Sequence, residues 1–226
     1  MTALTSFFTS SIGKKFLMAI SGVGLIGFIV AHLIGNLLIF GGQEALNAYA
    51  KGLHDLGGLL WIARIGLITI FVVHIGAAIA LTRDNRAARP DSYQSKGTVK
   101  ASLASKNMGL SGSFILLFVI GHLLHFTWGV IQPESHSLID AQGRHDVYSM
   151  VVTGFSNLFV SIPYIFSLIL LGAHLSHAMS SFFQTLGFNH PTYTPLINKG
   201  APMLAMAITI GYLAIPVSVI CKIITL

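Results

Sequence analysis

The 226-residue chain is poor in charge and has almost no cysteine. Seven residues are Asp or Glu and thirteen are Lys or Arg, so charged residues make up 9%, far below the roughly 25% usual in soluble domains. Too few ionic groups exist to solvate a water-facing surface. Cys221 is the single cysteine, which excludes a disulfide, a cysteine-ligated zinc site or an iron–sulfur cluster built by this chain alone. No Pro-, Gly- or Ser-rich linker divides the sequence, and residues 1–226 read as one domain.

What fills the chain instead is hydrocarbon. Hydrophobic residues reach 54% and the mean hydropathy is +0.77. Five apolar stretches fall at 17–40, 59–82, 109–131, 156–183 and 202–225, each long enough to cross a bilayer core of about 30 Å. Only Arg64 and Lys222 place a charge within them, each near an end. The first stretch is too long for a signal-peptide core and no small-x-small cleavage site follows it. Backbone polar groups in lipid must be satisfied within their own segment. The expected fold is therefore an all-α integral membrane protein: five transmembrane helices, of which the first four form a bundle and the fifth is a lipid-side buttress.

The net charge of +6 does not point to nucleic acid, because it is segregated. Lys14 and Lys15 precede the first span, and Arg83, Arg86, Arg89, Lys96, Lys100 and Lys106 crowd the connection between the second and third. The opposite connections carry Lys51 and Arg144 among Glu44, Asp55, Glu134, Asp140 and Asp146. The positive-inside rule then predicts a cytoplasmic N-terminus and an external C-terminus. The basic 83–108 connection, with a surface helix expected after Pro90, is the best docking face for a soluble partner; the plainer reading is a topology signal only. Residues 132–155 form the longest connection on the other side.

Ten histidines are present, and four lie deep in apolar stretches, where an imidazole normally marks a ligand, a proton relay or a paired core group. His32 and His122 fall about eight or nine residues from the outer ends of the first and third spans, or about 12–14 Å at 1.5 Å per residue. His74 and His174 fall equally far from the inner ends of the second and fourth. Two matched pairs result, at levels about 10–15 Å apart, an arrangement suited to two stacked haems.

An internal repeat reinforces the pairing. Ser21–His32 reads SGVGLIGFIVAH and Ser111–His122 reads SGSFILLFVIGH, with Ser, Gly and His at identical offsets. Gly22 and Gly112 lie about 15 Å along the helix from their histidines, at the level of the other pair, where a bare backbone would admit a flat macrocycle. His125 and His177, three residues after His122 and His174, are alternative ligands or supports for a haem edge. An intramembrane histidine that merely hydrogen-bonds a neighbouring helix, and glycines that merely allow close packing, are the plainer readings.

The residues carry a resemblance. The SSIGKKFLMAISG opening, His32-Leu33-Ile34-Gly35-Asn36-Leu37 followed by the Gly41–Asn47 turn GGQEALN, and HLSHAMSSFFQTLG from His174 to Gly187 resemble the cytochrome b558 subunit of succinate:quinone oxidoreductases. The match is to the single-subunit, five-helix, di-haem anchors of succinate dehydrogenase and fumarate reductase, along essentially the whole chain. It implies two haem b groups, one on His32 and His122 (distal) and one on His74 and His174 (proximal). It also implies a prokaryotic cytoplasmic membrane, and partner subunits on the cytoplasmic face: a flavoprotein with FAD and an iron–sulfur protein. The chain itself would exchange electrons with a membrane quinone, menaquinone in much of the group. Some fumarate-reducing relatives carry a glutamate two residues before the fourth-span ligand; here Gly172 stands there, which argues against that proton route.

Quinone chemistry needs polar groups near a membrane surface. Arg64, Trp61, His54 and Trp128 are candidates on the outer side, the tryptophans equally readable as interfacial anchors, and Ser21 and Ser111 are candidates on the inner side. Two rival functions are a cytochrome b anchor of hydrogenase or formate dehydrogenase type and a histidine-dependent proton-coupled transporter. Inverted repeats would be expected of the transporter; the repeat here is parallel.

Overall fold

The computed structural model describes residues 3–88, 107–188 and 190–226. The surface helix expected after Pro90 lies outside them. A short α1 (Ala3–Thr9) leads into α2 (Ser11–Leu37), which is capped by the Ser10 hydroxyl accepting from the Gly13 amide at 3.0 Å. After a 3-10 turn at Leu38–Gly41 come α3 (Gln43–Asp55) and α4 (Gly58–Ala87). Beyond the basic connection lie α5 (Met108–His122), a π turn at Leu123–Thr127, α6 (Pro133–His136), α7 (Val147–Ser156), α8 (Leu158–Thr185) and α9 (Thr194–Ile220). Among the described residues the only β pairing is an isolated antiparallel bridge between Ile139 and His145.

Five segments are long and apolar enough to cross a membrane: Ser11–Gly41, Gly58–Ala87, Met108–Thr127, Leu158–Thr185 and Thr194–Ile220. The chain is thus a multi-pass, all-helical membrane protein by length and composition. The third span stops short of 131 because the π turn gives way to Gly129, at φ 63°. The fifth starts at Thr194 rather than 202: Pro195 sits in the first turn, where a missing N–H costs nothing, and Pro202 and Pro216 are carried inside the helix. The GGQEALN segment is a helix start rather than a turn alone. Gly42 at φ 88° ends the 3-10 turn, and Gln43 begins α3, which buries Leu46 and Asn47.

In packing, α2 lies on α4, α5 on α8 and α8 on α9, while α2 also meets α8 and α9. The fifth span packs on α8 and α2 with Ala201, Ala205, Ile208, Ile215 and Val219 buried and is the most enclosed of the five, while Met203, Leu204, Met206 and Ile210 form an exposed apolar face. One apolar core joins Leu33, Leu175, Met179, Ala205 and Ile208 where α2, α8 and α9 meet. A second, holding Ile39, Leu46, Val152, Phe155 and Val219, lies under the connections at the acidic end.

That end is closed by a polar cap. Asn47 is wholly buried and donates to Asp140 at 3.1 Å and Asp146 at 2.9 Å, while its carbonyl accepts from the Tyr148 amide at 3.0 Å. Arg144 pairs with Asp140 at 2.8 Å and Glu44 at 2.6 Å, and Gln43 donates to Asp146 at 2.8 Å. The cap joins α3 to the 139–147 connection and α7. At the opposite, basic end Lys14 on α2 pairs with Asp84 on α4 at 2.6 Å.

Candidate functional site

The sites are built from histidines that helical rise places at two levels. Towards the acidic end, the rings of His32 on α2 and His122 at the end of α5 face each other, centroids 5.9 Å apart and planes at 81°. α2 and α5 are not among the closely packed helix pairs, so the two imidazoles reach towards each other across the bundle. His32 stacks on Phe28 at 5.3 Å, and the Tyr212 ring of α9 lies 6.2 Å away. The Tyr212 hydroxyl donates to the Ile29 carbonyl at 2.7 Å, fixing α9 against the turn of α2 that precedes His32. Phe118, Phe126 and Tyr164 surround His122, with centroids 5.9, 5.7 and 6.0 Å away.

Towards the basic end, each histidine leans on the Ser-Gly pair of the repeat. The Ser21 hydroxyl lies 3.2 Å from His74 Nδ1 and the Ser111 hydroxyl 3.1 Å from His174 Nδ1. A seryl hydroxyl has one proton, and these already have helical acceptors: Ser21 donates to the Leu17 carbonyl at 2.6 Å and Ser111 to the Met108 carbonyl at 3.1 Å. The oxygens therefore accept from the Nδ1–H of His74 and His174. This tautomer leaves Nε2 of each ring with a free lone pair.

The glycines follow the same pairing. A Cβ on Gly22 would lie 3.5 Å from His74 Cε1, and one on Gly112 would lie 3.7 Å from His174 Cε1. The repeat thus creates two like units, α2 with α4 and α5 with α8. In each, a Ser-Gly pair on one helix seats a histidine on the next.

The remaining candidates separate on their contacts. His125 is 2% exposed and both its nitrogens are engaged, Nδ1 with the Tyr164 hydroxyl at 3.1 Å and Nε2 with Gln132 Oε1 at 2.8 Å. It has no free lone pair for a metal, whereas His122 makes one hydrogen-bond contact, through Nδ1 to the Tyr164 hydroxyl at 3.4 Å. His177 lies half-buried one turn from His174. Arg64 rests on the Trp61 ring at 5.0 Å; His54 and Trp128 are exposed and make no ring or polar side-chain contact with that pair. Ser21 and Ser111 are buried, with their hydroxyl protons on the Leu17 and Met108 carbonyls and their oxygens against His74 and His174.

A Cβ at Gly172 would run into Thr209 Oγ1. Glycine there is required by the close approach of α8 and α9, and that packing closes the position to any longer side chain.

Three residues with clear geometric roles escape a search for histidines: Tyr164, Gln132 and Tyr212. The phenols had a signal, since each is an isolated polar group in an apolar span; Gln132 had none. Among the described residues no group of three or more His, Cys, Asp or Glu converges. No protein-family model, curated protein or solved structure matches the chain.

Proposed function

We propose that this chain is a di-haem cytochrome b that anchors a succinate:quinone oxidoreductase and passes electrons between an iron–sulfur subunit and membrane quinone. The observation that carries the reading is the histidine geometry: two levels, with three of the four rings held through Nδ1 so that Nε2 is free to ligate. Two imidazole nitrogens bound to one metal at about 2 Å each put their ring centres about 6 Å apart, and His32 and His122 stand at 5.9 Å. His32 and His122 would hold one haem, His74 and His174 the other. Protein packing does not demand glycine at 22 or 112, since a Cβ at either would reach only ordinary contact distance; a flat ligand beside the backbone would.

Haem iron with two imidazole ligands has no open coordination position, and so transfers electrons rather than binding oxygen. The chain's part is to orient the rings, exclude water with Phe28, Phe118 and Phe126, and space the two levels. The segregated charge supports docking of the flavoprotein and iron–sulfur subunits on the basic end, facing the cytoplasm of a prokaryote. Arg64 stacked on Trp61 is the strongest polar candidate for quinone contact near the acidic end. The quoted sequence resemblance supports succinate:quinone chemistry over the hydrogenase and formate dehydrogenase anchors.

A reduced-minus-oxidised spectrum with pyridine-haem quantification of the purified complex should give two low-spin haems per chain. Replacing His32, His74, His122 or His174 singly should remove one signal or block assembly. A haem-free, colourless protein would overturn the reading and favour a proton-coupled transporter, for which the hydrogen-bonded His122, Tyr164 and His125 would be the natural relay.

A further inference from the structure

We propose that Tyr164 and His125 are positioning residues for His122: with Gln132 they form a one-way hydrogen-bond chain that fixes the proton on His122 Nδ1 and turns Nε2 towards His32. The inference rests on the reading of His122 as a haem ligand. Its direction follows from counting protons. Gln132 Oε1 has none, so the 2.8 Å contact requires a proton on His125 Nε2. A neutral imidazole carries one N–H, so His125 Nδ1 accepts, and the Tyr164 hydroxyl donates to it at 3.1 Å. With that proton committed, the phenol oxygen accepts from His122 Nδ1, 3.4 Å away. Gln132 Oε1 fixes the sense of the whole chain.

The local fold holds the chain in place. The π turn at Leu123–Thr127 lets His125 face Tyr164 and Gln132 while His122 faces His32; such turns interrupt α-helices frequently at functional sites. His125 stacks on Phe126 at 3.9 Å. Gly154 lies at the edge of both rings, where a Cβ would come within 3.2 Å of His125 Cε1 and of Phe126 Cε1. The His32 ring makes no hydrogen bond among the described residues and is held by ring packing with Phe28 and Tyr212. One ring of this level is thus anchored by hydrogen bonds and its partner is not.

An imidazole that donates from Nδ1 to an acceptor becomes a more basic ligand at Nε2, which favours the oxidised metal. Removing the acceptor should raise the potential of the haem on His32 and His122 and leave that on His74 and His174 unchanged. The test is redox titration and low-temperature EPR of the intact complex. Tyr164→Phe should raise the midpoint potential and alter the low-spin signal of the first haem only. His125→Gln should keep both near wild type, because the amide can accept from Tyr164 and donate to Gln132.

An unchanged potential and spectrum in Tyr164→Phe, with both haems present, would overturn the proposal. So would loss of a haem in His125→Gln, which would make His125 the ligand. Should Tyr164→Phe fail to assemble, 15N-histidine NMR of the reduced wild-type complex decides: a proton on His125 Nε2 supports the chain, and a proton on its Nδ1 refutes it. If the wild-type protein contains no haem, the functional reading falls, and the same NMR measurement on that protein still decides the direction of the chain.

Discussion

A carboxylate held at a pKa of about 2 makes the acidic-end cap sensitive to acid in one direction. Burial alone would raise Asp140, but hydrogen bonds from Arg144, Asn47 and the Gln142 amide outweigh it and hold the group at about 2. Asp146 is lowered against its own burial by Asn47, Ser149 and Gln43, and Glu44 is lowered by the Arg144 guanidinium, whose own pKa is raised in return. Depressed folded values mean that the stabilisation is complete above the unfolded values, ordinarily 3.8 for Asp and 4.5 for Glu. It is lost as pH falls through the folded ones. The thermal midpoint of the detergent-solubilised protein should therefore be insensitive to these carboxylates between about pH 8 and 5 and fall between about pH 4 and 2. Asp140→Asn should flatten that fall; an equally steep loss in the variant would show that the cap does not respond through Asp140.

At this scale the sequence marked the deep histidines well, because an imidazole in an apolar run is conspicuous. The Ser-Gly-His repeat favours His122 over His125, but what each ring meets is not legible in it. Three residues apart on a helix, they differ in rotation about its axis, and what each ring meets is supplied by Gln132 in a loop and Tyr164 on another helix.

Among the membrane-spanning helices, the pairing of α8 with α9 is the tightest that the glycines report. Thr209 is β-branched and its hydroxyl is tied to the Ala205 carbonyl at 2.7 Å, so it cannot turn aside for a side chain at position 172. Gly172→Ala should lower stability by about 1–3 kcal/mol through overpacking, read as the shift in thermal or denaturant midpoint. Thr209→Ala in the same chain should recover much of the loss. Gly66→Ala, where a Cβ would meet nothing within 4 Å, should cost nothing, since alanine is the better helix former; equal losses at 66 and 172 would show that the contact with Thr209 does not set the effect. Element positions were largely legible, since hydropathy over twenty residues is a local property. Ends were less so: the π turn after His122 and the early start of α9 at Thr194 depend on how the chain leaves the apolar layer. Nor does the absence of histidine from the fifth span reveal that its small residues, Ala201 and Ala205, are buried where it packs on α8 and α2.

For the whole molecule, two helix-pair units of like construction stand beside α9, and polar contacts tie each end: Lys14 with Asp84 at one, the Asn47 and Arg144 cap at the other. Cys221 follows α9 at the acidic end and is exposed. With the basic end in the cytoplasm, a membrane-impermeant maleimide added to intact cells should label it. Labelling only after permeabilisation would reverse the proposed orientation.

The sequence by itself determined the number of spans, the levels of the four deep histidines and the two-fold repetition of Ser, Gly and His, because hydropathy and a rise of 1.5 Å per residue are properties of one chain read along its length. Tertiary structure decided which nitrogen of each anchored ring is free, why position 172 must be glycine, how the acidic end is sealed and where the fifth helix lies. Those depend on rotation about helix axes and on partners from 7 to 183 residues away, brought together by a loop or another helix where no hydropathy pattern places them.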